Sequence, residues 1–222
     1  MADSAVPIGA AAHSFGLETL VEDGSLVVEN LEQFLTDHLG ETGTQEAAFC
    51  HAAHRLAAPA ESVGDDFQVE SWLELNRRLS ARKSAREARA ASATLGRRLL
   101  QLALELDGSS PLFEASDAAR SAACDVHHCA AFGLIGGALG LFEDSTVEAY
   151  LHQALSGLVS ACQRLLPLGQ TRAQQILWNL KPAVVAAARA GAEDCEEVNC
   201  FAPLLELGSM RHTTLTTRLF IS

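Results

Sequence analysis

Residues 117–142 read DAARSAACDVHHCAAFGLIGGALGLF, and their second half, residues 130–142, is apolar on every side of a helix. These 13 residues would span about 20 Å as a helix, too short for the roughly 30 Å hydrocarbon core of a bilayer. A helix that is apolar all round belongs at the centre of a fold, with other helices packed around it. Its repeated glycines, among them Gly133 and Gly136, indicate close approach of neighbouring backbones. We therefore predict an all-α bundle in which residues 117–142 form the central buried helix.

Length and composition bound the class of protein. The 222 residues are enough for one self-sufficient core, so we treat residues 1–222 as a single domain. The apolar content of 48 %, rich in Ala and Leu, favours helices over sheet. The formal charge of −12 disfavours nucleic acid and anionic membranes as partners. Six irregularly spaced cysteines indicate reduced thiols, and no signal peptide is visible, so we predict a cytoplasmic protein.

Capping signals predict several further helices. Sequences of the form Ser/Thr-x-x-Glu/Gln begin at Ser84, Ser145 and Thr171, and each predicts a helix start. The first of these helices should cover residues 85–106, whereas residues 192–208 are predicted to be largely loop. No segment alternates between apolar and polar residues for long enough to predict a strand.

The two ends of the chain differ from its helical middle. Residues 1–13 are mostly small and include Pro7 and Gly9, which predicts an irregular arm. Residues 209–222 contain four threonines, whose branched side chains make them weak helix formers. We therefore predict that this tail is poorly ordered alone and folds on a partner.

Two Cys/His clusters are candidate metal ligands. On a continuous helix Cys124, His127 and His128 would share one face and offer three ligands to nickel, copper or zinc. The competing interpretation is ordinary burial, because Cys is among the most buried residues and one helix seldom closes a metal site alone. The cluster at residues 50–54 is a weaker case of the same kind. A small helical metal-binding protein therefore stays open as an alternative function.

The sequence carries no recognisable motif for enzyme chemistry. It contains no Glu-x-x-His pair for a di-iron site, no P-loop and no Gly-x-Ser-x-Gly element. We therefore predict that the chain is not an enzyme, has no catalytic residues and binds no cofactor stably. Eight of the sixteen basic residues lie between positions 77 and 98, either as a solvated helix face or as a surface for an acidic protein partner.

Several separated motifs occur in a fixed order along the chain. They are Pro7-Ile8-Gly9 with His13-Ser14-x-Gly16-Leu17-Glu18, Glu87-x-Arg89-x-x-Ser92-x-x-x-Gly96-Arg97, Pro167-Leu168-Gly169-Gln170 with Gln174, and Arg211-His212 with Arg218-Leu219-Phe220-Ile221-Ser222. Together they resemble the UreF family of urease accessory proteins over nearly the whole chain. Two positions depart from the family pattern, since Ala11 stands where an aromatic is common and Thr213 replaces the usual acid.

The resemblance implies an all-α, homodimeric scaffold rather than an enzyme. Such a protein would bind the accessory protein UreD (also called UreH), recruit the GTPase UreG and help to deliver nickel to the urease apoenzyme. Nickel and GTP would be handled by the partner complex. Arg218 matches a near-terminal arginine implicated in GTPase recruitment. The partner-binding residues implied by the resemblance are Pro7, Gly9, His13, Ser14, Gly16, Leu17, Glu18, Pro167, Gly169, Gln170, Gln174, Met210, Arg211, His212, Arg218, Leu219 and Phe220.

Overall fold

The fold is all-α, which confirms the predicted class. A computed structural model describes residues 6–57, 67–192, 195 and 198–222, and no strand occurs among them. Within these ranges, every helix is too short or too polar to cross a bilayer. The helices are α1 (Leu17–Glu22), α2 (Leu31–His38), α3 (Thr44–Ala57), α4 (Val69–Arg82), α5 (Arg86–Leu106), α6 (Ser110–Ser121), α7 (His128–Ala138), α8 (Glu143–Leu165), α9 (Gln170–Asn179), α10 (Lys181–Ala190) and α11 (Pro203–Arg211).

Helix α7 lies at the centre of the fold. Its residues from His128 to Gly137 are all buried, and both α3 and α5 pack against it. A Cβ built on Gly133 would lie 2.1 Å from the carbonyl oxygen of Cys50 in α3. Only a residue without a side chain permits this distance, so the predicted close approach of a neighbouring backbone is confirmed at Gly133.

The predicted bounds of the central helix are wrong at both ends. Residues 117–121 belong to α6, and residues 122–127 form a turn before α7 begins. Asn76 of α4 holds this turn, because its side-chain oxygen accepts a hydrogen bond from the His127 N–H at 2.9 Å. A residue 51 positions away thus overrides the local helical pattern. At the other end Phe142 is 85 % exposed rather than buried.

The remaining helix predictions are largely confirmed. Helix α5 matches its predicted range to within one residue, and α8 begins two residues before Ser145. Of the loop predicted over residues 192–208, positions 193, 194, 196 and 197 lie outside the described residues. Its last part is wrong, because α11 begins at Pro203, a residue that suits the first turn of a helix. Of the predicted arm, residues 1–5 lie outside the described ranges, and Ala10–Ala12 form a 3₁₀ turn.

A buried ion pair joins α3, α8 and the end of α4. The ammonium of Lys83 lies 2.7 Å from Glu46 Oε1, and the Tyr150 hydroxyl donates a hydrogen bond to Glu46 Oε2 at 2.7 Å. The lysine and glutamate side chains are only 13 % and 16 % exposed. A cavity of about 140 Å³ adjoins the pair and is also lined by His128. The packing of three segments therefore depends on one buried carboxylate and its two partners.

Candidate functional site

The N-terminal motif and the tail meet in the structure, although they stand at opposite ends of the sequence. Helix α1 packs against α11, and Gly16 at the start of α1 has a left-handed φ of 94°. A Cβ built on Gly16 would lie 2.6 Å from the backbone nitrogen of Ser209. Glycine is needed here both for its backbone conformation and for its missing side chain. We define the tail site as Glu18, Glu87, His212, Arg218 and residues 219–222.

Glu18 anchors the tail through its backbone. Its Oε1 accepts the Leu219 N–H at 2.5 Å, and its Oε2 accepts the Phe220 N–H at 3.1 Å. The side chain is only 8 % exposed. Burial alone would raise the pKa of Glu18, but the two tail amides and the nearby His212 outweigh it, so the pKa of Glu18 is lowered. A charged carboxylate of α1 thus holds the backbone of residues 219 and 220.

His212 connects two acidic residues on different helices. Its Nε2 lies 2.9 Å from Glu18 of α1, and its Nδ1 lies 2.7 Å from Glu87 of α5. The His212 side chain is completely buried. Arg218 of the tail donates a second hydrogen bond to Glu87, at 3.2 Å. The four side chains form a row. Glu18 lies between the tail amides and His212, and Glu87 lies between His212 and Arg218.

The last two residues of the tail bind the N-terminal motif. The carbonyl oxygen of Ser222 accepts hydrogen bonds from the Ser14 N–H at 2.5 Å and the Ser14 hydroxyl at 2.9 Å. The His13 Nδ1 lies 2.8 Å from the Ser222 hydroxyl. One residue earlier, the Ile221 N–H donates to the Ala12 carbonyl at 2.9 Å. Burial and the charge of Arg98 lower the pKa of His13, which favours its neutral form.

Phe220 fixes the tail against the end of α8. Its ring is 4 % exposed and lies beneath the guanidinium of Arg164, 4.3 Å from the ring centroid. The same arginine donates a hydrogen bond to the Ala11 carbonyl at 2.8 Å. Arg164 therefore joins the tail and the N-terminal arm to α8 by one cation–π contact and one hydrogen bond.

Glu18→Gln is expected to release the tail while leaving the core intact. Hydrogen bonds to a charged group contribute about 1.5–3 kcal/mol, so amide-exchange protection of Leu219 and Phe220 should fall about tenfold or more. The matched control is Glu22→Gln, which changes an exposed glutamate of the same helix. Equal tail protection in the two variants would show that Glu18 is not the anchor.

The first Cys/His cluster, a candidate for metal binding, does not lie on one continuous helix. The one-face arrangement of Cys124, His127 and His128 is wrong, because the first two residues lie in the turn before α7. The ring nitrogens of His127 are already 2.8 Å from the Ser80 hydroxyl and 3.1 Å from that of Ser92. Burial lowers the pKa of His127 to about 3 and that of His128 to about 4. In the part of the chain that the structure describes, no group of three His, Cys, Asp or Glu could hold a metal ion.

The second cluster and much of the basic segment have partners within the chain. His51 lies 2.7 Å from Glu143, and His54 Nε2 lies 2.9 Å from the Leu141 carbonyl oxygen. In the basic segment, several side chains bind acids or carbonyl groups of the same molecule; these are Arg77, Arg78, Arg82, Lys83, Arg89 and Arg98. Neither the solvated face nor the surface for an acidic partner, the two interpretations of this segment, had anticipated that six of its eight basic side chains bind groups of the same molecule.

Comparison with known proteins places the chain in a family. A sequence model named UreF matches residues 28–181, more than half of the chain. The urease accessory protein UreF of Nostoc sp. (strain PCC 7120) is 34 % identical over 224 residues, which cover 100 % of this chain and 93 % of the relative. The chain belongs to the UreF family. The UreF proteins of Paenarthrobacter aurescens and Lachnoclostridium phytofermentans are each 32 % identical, covering 100 % of this chain and 95 % and 96 % of those relatives.

Membership of the UreF family confirms the resemblance inferred from the separated motifs. Of the residues that the resemblance implicated, the structure brings many together around the tail; these are His13, Ser14, Gly16, Leu17, Glu18, Arg211, His212, Arg218, Leu219 and Phe220. Gly9 lies instead against Arg98 of α5, where a Cβ would be 2.6 Å from a guanidinium nitrogen. Pro7 and Met210 are exposed. The third motif follows the end of α8 and runs into α9, and its residues Pro167, Gly169, Gln170 and Gln174 are exposed.

The resemblance did not connect Glu87 with the tail. Glu87 is 125 residues from His212 in the sequence, and no local signal announces their contact. Its place in the motif that begins at residue 87 marked it as a family position only. The sequence does show an acid in that motif and a histidine in the tail motif, which could form a pair. That they do form one is evident only from the folded structure.

Proposed function

We propose that this UreF-family chain acts as a nickel-insertion co-chaperone for urease. It bridges UreD (UreH) and the GTPase UreG and modulates the GTP-dependent delivery of nickel to the urease apoenzyme. The observation that carries the proposal is similarity over the whole chain to proteins named urease accessory protein UreF. In this role the protein is a cytoplasmic homodimer and not an enzyme, and nickel and GTP are bound by the partner complex.

The surface near the tail supports binding of another protein. Helix α11 and the tail expose large apolar side chains, each between 44 % and 67 % accessible; these are Leu204, Leu207, Met210, Leu219 and Ile221. Clustered exposed apolar residues are typical of protein interaction sites. We propose that a partner selects the docked conformation of the tail and stabilises it. The prediction that the tail needs a partner to order fully stays a prediction, which amide exchange with and without the partner tests.

The function is tested in a strain that lacks the gene. We expect urease to be produced but to contain no nickel, and complementation with the full-length chain to restore the metal. The purified chain should also capture UreD and UreG of its own organism from solution. Nickel-loaded urease in the deletion strain, or turnover of a substrate by the purified chain alone, would contradict the proposal.

Arg218→Ala is expected to weaken recruitment of UreG without unfolding the protein. Arg218 is 42 % exposed, so loss of its ion pair with Glu87 should change the free energy of unfolding by less than about 1 kcal/mol. Capture of UreG should fall about tenfold, equivalent to roughly 1.4 kcal/mol. The control is Arg120→Ala, which removes another exposed ion-paired arginine far from the tail in sequence. If both variants capture UreG equally, Arg218 has no specific role.

The alternative function, tight metal binding by the chain itself, is tested separately. The isolated protein is titrated with nickel and with zinc. The co-chaperone proposal expects no tight stoichiometric binding that depends on Cys124, His127 and His128. Tight binding that is lost in a Cys124→Ser variant would favour the alternative.

A further inference from the structure

The two contacts of His212 define its protonation state when the tail is docked. A neutral imidazole carries one N–H, and a carboxylate can only accept hydrogen bonds. Yet both ring nitrogens lie within 2.9 Å of carboxylate oxygens, one from Glu18 and one from Glu87. With a neutral ring, one of the two contacts would place a nitrogen lone pair against a carboxylate in a completely buried position. Both contacts are hydrogen bonds only if both nitrogens carry protons.

The surrounding groups place this proton on the ring rather than on an acid. Glu18 also accepts two backbone N–H groups, which favour its charged form and lower its pKa. Glu87 also accepts a hydrogen bond from Arg218. With a charged His212, two carboxylates face two cations. With a neutral ring, the two carboxylates would face Arg218 as their one cation, and the cluster would carry a net negative charge, which is costly away from water. The neighbouring Arg211 is occupied by Asp23 at 3.2 Å.

The same acid that contacts His212 also anchors the tail. Glu18 holds the Leu219 and Phe220 amides, while His212 joins Glu18 to Glu87 and so fixes the carboxylate in place. Loss of the ring proton would break one of the two bridging hydrogen bonds. We propose that docking of the tail on the N-terminal motif is linked to proton uptake by His212, so that the tail is held when the ring is charged and released when it loses its proton.

The direction of the pH dependence follows from this linkage. The charged ring makes hydrogen bonds to both Glu18 and Glu87, whereas the neutral ring can make only one of them, so docking should weaken as the pH rises and the ring loses its proton. Glu18 sets the acidic limit of tail docking. Because its pKa is lowered, its hydrogen bonds to the tail amides are lost only when the pH falls far enough to protonate the carboxylate. Tail docking should therefore be strongest between these limits and should weaken towards alkaline pH.

The test measures the isolated full-length chain by NMR between about pH 6 and about pH 9, a range that spans ordinary histidine titration. Amide protection of Leu219 and Phe220, corrected for intrinsic exchange, should fall about tenfold more than that of Ile135 in α7. The ring nitrogens of His212 should both show attached protons wherever the tail is protected. Tail protection that follows the core at every pH, or a neutral ring in the docked state, would overturn the proposal.

A His212→Gln variant separates the linkage from a merely structural role. Glutamine donates a hydrogen bond but does not titrate, so tail protection should be lower than in the native chain at about pH 6 and nearly independent of pH. Should this variant fail to fold, the ring signals of the native chain still decide the matter. The proposal rests on the proposed function only in treating the tail as a partner surface. A chain that shows the linkage but captures no UreG would overturn the proposed function alone.

Discussion

Lys83→Ala is expected to lower the free energy of unfolding by about 3–5 kcal/mol, because it leaves a buried carboxylate without its counter-charge. In the native chain burial opposes the charged form of Glu46, but Lys83 and the Tyr150 hydroxyl outweigh it and lower the pKa of Glu46 to about 2. After removal of the ammonium, Glu46 keeps the hydrogen bond from the Tyr150 hydroxyl, at 2.7 Å, which does not replace the lost charge. Urea unfolding at neutral pH measures the loss.

The stability of the native chain and that of the Lys83→Ala variant should change in opposite directions as the pH is lowered. In the native chain the contribution of Glu46 is complete above its ordinary pKa of 4.5 and is lost as the pH falls towards about 2. In Lys83→Ala, burial without the lysine favours the protonated acid, so the deficit in stability should shrink as the pH is lowered from neutral towards about 4. A deficit that stays constant with pH would show that the lost energy is not electrostatic.

Two further variants identify the cause. The double variant Glu46→Gln with Lys83→Met removes both charges at once and should recover most of the lost stability, since an apolar or neutral replacement of a buried pair is often tolerated. The matched single control is Lys181→Ala, which removes an exposed lysine that lies 3.6 Å from the centre of the Trp178 ring. That change should lower the free energy of unfolding by only about 0.5–1 kcal/mol.

The parts of the fold that were predictable are those that depend on local pattern. The buried part of α7 is apolar on every side, and the range of α5 follows from its apolar spacing and the Gly108 that follows it. The turn at residues 122–127 was not predictable, because Asn76, Ser80 and Ser92 hold it from helices elsewhere in the chain. Where polar side chains from distant elements determine the conformation of the backbone, the periodic pattern of the local sequence is not sufficient to predict it.

The candidate site was predictable by residue but not by geometry. The family resemblance alone marks Glu18, His212 and Arg218 as site residues. The contact between Glu18 and His212 spans 194 residues, so no local spacing encodes it. The bridging role of Glu87, and hence the inferred charge on the ring of His212, follows only from the folded chain. In contrast, the start of α11 at Pro203 carried a readable signal, since proline favours the first helical turn.

Gly133→Ala should also be strongly destabilising, by about 3 kcal/mol, at the upper end of the usual range for overpacking. The added methyl group would lie 2.1 Å from the carbonyl oxygen of Cys50 and 2.9 Å from its carbonyl carbon. Both atoms belong to the backbone of α3, so a side-chain rotation cannot relieve the clash and the helices must separate. The gain in helix propensity, about 1 kcal/mol, is too small to compensate.

Gly157→Ala is the matched control for this prediction, because Gly157 lies inside α8 and a Cβ there would meet no atom within 4 Å beyond its chain neighbours and the backbone of its own helix. With only the propensity term acting, this variant should be more stable than the native chain by about 0.5–1 kcal/mol. Urea unfolding of both variants therefore separates backbone contact from propensity, since the same substitution acts in opposite directions at the two sites. If both substitutions stabilise the protein, α3 and α7 are free to move apart and the close approach at Gly133 does not determine how the core is packed.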